Sequence, residues 1–199
     1  MRVGLDFGGV LQMAKGNDTS TDVASLPLMD GAIEGTKRLV ERLGAENVYI
    51  VSKAGTAVAE GTRSCLEAAQ FYDKTGFLRD NIVFTTKRNG SAGKWPVVRD
   101  LGLTVFVDDN WSLFGDPLID SLGLGGTWCV LFGEPPSWED TELDRDSGDK
   151  KNATEKHPYR CGKELYYAQC NYERDIAQAR DIAQAMDWAQ LVTILLARM

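Results

Sequence analysis

Short apolar runs alternating with stretches of helical period set the frame of this chain. Arg2 to Asp6 is one such run, ending in a carboxylate and then Gly8-Gly9. Val48 to Val51, Asn81 to Thr85, Thr104 to Val107 and Thr127 to Phe132 are others. None alternates apolar with polar residues, so each predicts a strand covered on both faces. Between them the period changes. From Asp30, read as an N-cap, Ile33, Thr36/Lys37, Leu39, Val40 and Leu43 recur at helical spacing, and Gly44 closes the helix. Thr56 to about Tyr72 reads as a second helix, and Ala92 to Leu101 as a third, closed by Gly102. This order predicts an α/β domain with a doubly wound, mostly parallel, five-stranded sheet and helices on both faces. Ligands of such a sheet bind beyond the carboxyl ends of its strands.

The last third reads differently. Residues 138–165 are polar, with seven acidic and four basic side chains between Glu139 and Lys156, which predicts an exposed loop excursion. Residues 171–197 then read as one long C-terminal helix packed on the core. It contains a tandem hexamer, Arg174 to Ala179 repeated as Arg180 to Ala185. Six residues is not a helical period, yet Ala179, Ile182, Ala183, Met186 and Ala189 share one stripe, expected to face the sheet. The repeat itself reads as a local duplication without chemistry.

Composition narrows the function classes. The 199 residues suit a single domain, and 43% apolar with 26% charged residues is ordinary globular usage. A net charge of −7 argues against bulk attraction to nucleic acid or anionic lipid, while leaving room for a local cationic pocket. Cys65, Cys129, Cys161 and Cys170 are scattered without a C-x-x-C pair, which speaks against a disulfide framework and for a reducing compartment. His157, Cys161 and Cys170 lack a fourth ligand and standard spacing for zinc. The N-terminus enters a strand at once, and no apolar run approaches the roughly 18 residues of a membrane helix, so the expected location is cytoplasmic, without membrane contact. His157, the single histidine, lies in the acidic excursion and excludes a Ser-His-Asp hydrolase. Gly8-Gly9 and Gly123 to Gly126 match neither a dinucleotide fingerprint nor a P-loop. The five tryptophans read as packing residues, with Trp111 a candidate for a pocket mouth.

The chemistry gathers at strand ends. The first run ends in Asp6, the second in Ser52, and the fourth in Asp108-Asp109; a helix beginning near Lys94 leads into that fourth run. A parallel sheet brings these ends to one edge. Carboxylates collected there repel unless a cation lies between them. Hard oxygen donors suit Mg²⁺, which keeps waters and shares substrate phosphate. A serine hydroxyl and a lysine ammonium beside them complete an oxyanion cradle suited to phosphoryl transfer.

These segments resemble the four motifs of the haloacid dehalogenase-like superfamily, in order. Val3-Gly4-Leu5-Asp6-Phe7-Gly8-Gly9-Val10-Leu11 resembles the first, Val48-Tyr49-Ile50-Val51-Ser52 the second, Gly93-Lys94-Trp95-Pro96 the third, and Thr104-Val105-Phe106-Val107-Asp108-Asp109 the fourth. The resemblance covers residues 3–109. It implies a Rossmann-like core and Mg²⁺-dependent hydrolysis of a small phosphorylated metabolite or nucleotide. Asp6 would form an aspartyl-phosphate. Asp6, Asp108 and the Gly8 carbonyl would hold Mg²⁺, with Asp109 supporting the site. Ser52 and Lys94 would bind the phosphoryl oxygens. Lys87 competes for the third motif, and Lys94 is preferred because it precedes Asp108 by 14 residues, one short helix. The short segments between motifs imply a small cap.

One position departs from the phosphatase pattern. Where these enzymes carry a second aspartate that protonates the leaving oxygen, this chain has Gly8. Metal binding through a backbone carbonyl survives that change; the proton donor does not. Asp18 or Asp30 could supply a substitute carboxylate. Three readings follow: a phosphatase with weakened acid catalysis; a catalytically silent relative that binds phosphate, nucleotide or a protein; and a hydrolase of carbon–halogen or carbon–phosphorus bonds, with Lys53 the nearest Schiff-base lysine for the last.

Overall fold

The structure, a computed structural model, describes residues 1–13, 23–85, 93–133 and 182–198. The excursion at 138–165, Asp18 and Lys87 lie outside the described residues.

Six strands form one sheet: β1 (Val3–Leu5), β2 (Val48–Lys53), β3 (Ile82–Thr85), β4 (Val105–Asp108), β5 (Trp128–Phe132) and β6 (Ala183–Ala185). Their order is β3-β2-β1-β4-β5-β6, and every neighbouring pair is parallel. This is the doubly wound, Rossmann-like arrangement. The chain builds outward from β1 in one direction, then returns to β4 and builds in the other, so the crevice opens between the ends of β1 and β4.

Both faces are dry, which explains the uninterrupted apolar strands. Val3, Leu5, Val48, Ile50, Val105, Val107, Val130 and Phe132 enter one core. Val51, Phe106, Cys129 and Leu131 enter the other. Over the first face lie α1 (Ala32–Leu43), α2 (Thr56–Ala68), α3 (Phe71–Thr75) and α7 (Trp188–Ala197). Over the second lie α4 (Lys94–Asp100), α5 (Trp111–Phe114) and α6 (Leu118–Ser121). Gly4 sits where a Cβ would stand 2.4 Å from Leu103 Cδ1, so α4 and the turn after it close tightly on the sheet. Trp95 is fully buried there and donates its indole N–H to the Leu113 carbonyl at 3.1 Å. Among the described residues no helix is long and apolar enough to cross a membrane.

Several elements differ from the sequence expectation. The residue at the start of α1 is Gly31, at φ 80°, and Asp30 is exposed; no side chain caps the helix. The buried stripe of α1 is Ala32, Gly35, Thr36 and Leu39. The expected helix from Thr56 to Tyr72 is two helices, because Gln70 takes a left-handed conformation (φ 56°). That turn swings Phe71 into the core against Phe77. The largest correction concerns the C-terminus. Within the described part of the span expected to be one helix, residues 182–197, Ala183–Ala185 is a sixth strand paired to β5 and Trp188–Ala197 is helical. Helix propensity of an alanine-rich segment is worth a fraction of a kcal/mol per residue, and the open edge of β5 outbids it with backbone hydrogen bonds and buried apolar contact. The signal for the true helix start was present. Asp187 accepts a hydrogen bond from the Gln190 amide at 2.8 Å, and the Gln190 side chain accepts from Met186 N at 3.0 Å.

Trp188, the first residue of α7, ties the C-terminus to the loop after β1. Its indole N–H donates to the Val10 carbonyl at 2.8 Å, and its ring fills the space above Gly35, where a Cβ would fall 2.2 Å from Trp188 Cε3. A helix-interior glycine replaced by alanine ordinarily gains up to about 1 kcal/mol. Here the sign reverses: Gly35→Ala is expected to destabilise by about 1–3 kcal/mol through overpacking, read from denaturant unfolding midpoints.

Candidate metal and phosphate site

The site is assembled by strand alternation. Along β1, Val3 and Leu5 belong to one core, and Gly4 contacts Leu103 and Phe106 of the other. Asp6 continues the alternation of Gly4, and its amide still donates to the Val107 carbonyl at 2.9 Å. Asp108 closes β4 and continues the alternation of Phe106. Both carboxylates therefore fall on the face covered by α4, whose first residue is Lys94. Its ammonium lies 2.8 Å from Asp6 Oδ2 and 2.6 Å from Asp108 Oδ2. Three groups distant in sequence meet because β1 and β4 are neighbours at the switch point.

Burial makes this contact strong chemistry. Asp6, Asp108 and Lys94 are 7%, 0% and 4% exposed. Charges so placed must be paired and hydrogen-bonded. The Phe7 amide donates to Asp6 Oδ1 at 2.8 Å, and the Asn110 amide donates to Asp108 Oδ1 at 2.9 Å. Asp109, partly exposed, completes the group: one carboxylate oxygen from each of Asp6, Asp108 and Asp109 lies within 4.8 Å of the others.

The cluster is short of positive charge. Burial pushes the Asp6 carboxyl up to about 6, with the Asp108 carboxylate adding to the effect and Lys94 opposing it. Burial likewise raises Asp109 to about 7, reinforced by Asp108 and Asp6. For Lys94, burial alone would lower the pKa. The carboxylates of Asp108 and Asp6 override it and hold the ammonium charged above the ordinary lysine range.

The residues present fit a divalent cation. Three carboxylates against one ammonium leave two negative charges. Mg²⁺ at about 2.1 Å from its ligands spaces neighbouring oxygens about 3 Å apart and opposite ones about 4.2 Å, within the observed cluster. Hard carboxylate oxygens suit Mg²⁺, Mn²⁺ or Ca²⁺ over softer metals.

The remaining predicted residues take less direct positions. Ser52 is buried, two residues past Ile50, which pairs with Leu5 of β1. Register thus brings it to the same edge. Gly8 lies in the tight turn after Asp6, bridged to Gln12. Lys53, beside Ser52, is exposed. Of the two candidate lysines, Lys94 is the one placed between the carboxylates, while Lys87 lies outside the described residues. Sequence reasoning missed the amides of Phe7 and Asn110 and the packing of Gly9 against Asp109; only the paired glycines hinted at the last. Comparison of the chain with protein-family models and with curated proteins gives no match.

The raised carboxyls have a pH consequence. Asp6 and Asp109 hold protons in the folded state up to about 6 and about 7, against an ordinary 3.8. Between those limits the unfolded chain binds fewer protons than the folded one, so stability from this pair falls as pH rises from about 4 to about 7. A divalent cation requires the ionised carboxylates. The rise in Tm on adding Mg²⁺ is therefore expected to be larger at pH 8 than at pH 5.5. Equal shifts at both pH values, measured against EDTA, contradict this.

Proposed function

We propose that this protein is an Mg²⁺-dependent hydrolase of the haloacid dehalogenase-like type, a phosphatase acting on a small phosphorylated metabolite or nucleotide through Asp6. The observation that supports it best is the Lys94 ammonium held between the buried carboxylates of Asp6 and Asp108, with Asp109 alongside, at the switch point of a parallel sheet.

In this reading Asp6, Asp108 and the Gly8 carbonyl would hold Mg²⁺, with Asp109 supporting the site, and the ion would neutralise phosphate charge when bound. Lys94 and Ser52 bind phosphoryl oxygens. A carboxylate oxygen of Asp6 attacks phosphorus in line, the bond from phosphorus to the leaving oxygen breaks, and an aspartyl-phosphate forms on Asp6. Water then attacks that phosphorus, releasing inorganic phosphate and restoring the carboxylate. Lys94 keeps Asp6 ionised, since a protonated carboxyl is no nucleophile.

Gly8 cannot donate a proton. General acid catalysis is typically worth about 10²–10⁴-fold, so substrates whose leaving group needs no proton, aryl and acyl phosphates, are the favoured class. The test is phosphate release with Mg²⁺ across a panel of p-nitrophenyl phosphate, acetyl phosphate, nucleotides and sugar phosphates, with Asp6→Asn as control. Release from the activated esters well above release from alkyl esters supports the proposal. Release no greater than the control from every member rejects it. A second reading, a silent relative that binds phosphate without turnover, is favoured by Gly8 alone. It would show phosphate raising Tm in the presence of Mg²⁺ with no product.

A further inference from the structure

We infer that Gly9 is the positioning residue for Asp109: the absent side chain at position 9 is the space that holds the Asp109 carboxylate against the cluster. The inference rests on the proposed metal site and adds to it a residue with no ligand atom of its own.

The geometry is direct. A Cβ built on Gly9 would lie 1.9 Å from Asp109 Oδ2, 2.2 Å from its Cγ and 2.9 Å from its Cβ. Rotating Asp109 about its first side-chain bond moves the carboxylate away, but leaves its Cβ in place at a distance real Cβ atoms do not tolerate. A methyl group at position 9 therefore expels the carboxylate and also presses on the Asp109 backbone. Position 9 cannot retreat instead. The Gly9 amide donates to the Gln12 carbonyl at 2.9 Å, and Gln12 is wholly buried. Next in sequence, Val10 and Leu11 are also fully buried, and the Val10 carbonyl is held by the Trp188 indole at 2.8 Å. Gly9 is thus clamped from behind while facing Asp109, and its φ of 79° is one that favours glycine. Of the three carboxylates in the cluster, Asp109 alone has no contact with Lys94 among the described ion pairs. Packing against Gly9 takes the place of such a bond.

A chain with a methyl group at position 9 should lose divalent-cation affinity as if Asp109 were missing. Losing an orienting partner of a metal ligand typically costs about 10–100-fold in affinity, and that is the loss expected for Gly9→Ala. The experiment is calorimetric titration of Mg²⁺ into full-length wild type, Gly9→Ala, Asp109→Ala and the double variant, with unfolding free energies measured in EDTA. Gly123→Ala is the control for backbone strain: φ is 71° there, and nothing lies within 4 Å of the built Cβ. The expected result is weakened Mg²⁺ binding in Gly9→Ala and in Asp109→Ala, a double variant binding no more weakly than the worse single one, and unchanged affinity in Gly123→Ala. In EDTA the double variant should be more stable than Gly9→Ala, because truncating Asp109 removes the two shortest contacts, at 1.9 and 2.2 Å, and leaves only the one with its Cβ. Wild-type affinity in Gly9→Ala, additive losses of affinity in the double variant, or a double variant no more stable than Gly9→Ala overturns the inference while leaving the metal site standing. A wild-type protein without Mg²⁺ binding overturns the metal site and this inference together.

Discussion

Replacing Lys94 by methionine is expected to destabilise the protein by about 3–5 kcal/mol near pH 8, the range for breaking a buried ion pair by removing one partner. Methionine preserves most of the side-chain length, so the loss isolates the charge. Lys94 is buried and contacts two carboxylates that are themselves buried. Without it Asp6 and Asp108 face each other, and among the described residues the Phe7 and Asn110 amides remain as the hydrogen-bond donors to them. The defect should shrink on acidification, since Asp6, whose carboxyl burial pushes up to about 6, takes on a proton and no longer repels its neighbour, so the gap between wild type and Lys94→Met narrows from pH 8 to pH 5. For a chain of this size 1 kcal/mol is about 2–4 °C in Tm, which places the expected fall at roughly 6–20 °C. A Tm within 2 °C of wild type at pH 8 would remove the claim that this ammonium holds the strand ends together. Adding Mg²⁺ should recover part of the loss, because the cation supplies charge to the same carboxylates.

Asp6→Asn is expected to separate function from stability. As the proposed nucleophile, its loss should reduce phosphate release on the order of 10⁴-fold or more. Yet the same change should leave the metal-free protein as stable as wild type at pH 8, or more so. The folded state holds the Asp6 carboxyl up at about 6, so at pH 8 its ionised form is costly relative to the unfolded chain. A neutral amide of the same shape removes that cost, and Lys94 retains Asp108 as its partner at 2.6 Å. An active site kept at the expense of stability is a common trade. An Asp6→Asn variant that is much less stable than wild type, or that releases phosphate at wild-type rate, contradicts the assignment.

Much of the site is legible in the sequence alone. Asp6, Ser52 and Asp108-Asp109 each follow an apolar run, and a parallel sheet forces such ends to one edge. Lys94 was legible by its interval to Asp108, one helix and one turn. The order of motifs also pointed to the doubly wound topology, because each strand-to-strand link had room for a crossover helix. Other features depended on long-range contact. The edge strand Ala183–Ala185 lies in a segment whose composition favours helix, and the deciding partner is β5, some fifty residues earlier. Gly31 rather than Asp30 begins α1, because a left-handed turn there directs the stripe of Ala32, Gly35 and Leu39 onto the sheet and Trp188. In the sequence Gly9 is just the second of a glycine pair after Asp6, and its contact with Asp109 spans a hundred positions.

The sequence by itself determined which residues carry charge at strand ends and which faces are apolar, since side-chain chemistry and period are local properties. The tertiary structure decided which of those charges meet. Placing β1 beside β4, and α4 across them, turns three separated groups into one buried cluster, and only burial makes their pairing energetically decisive.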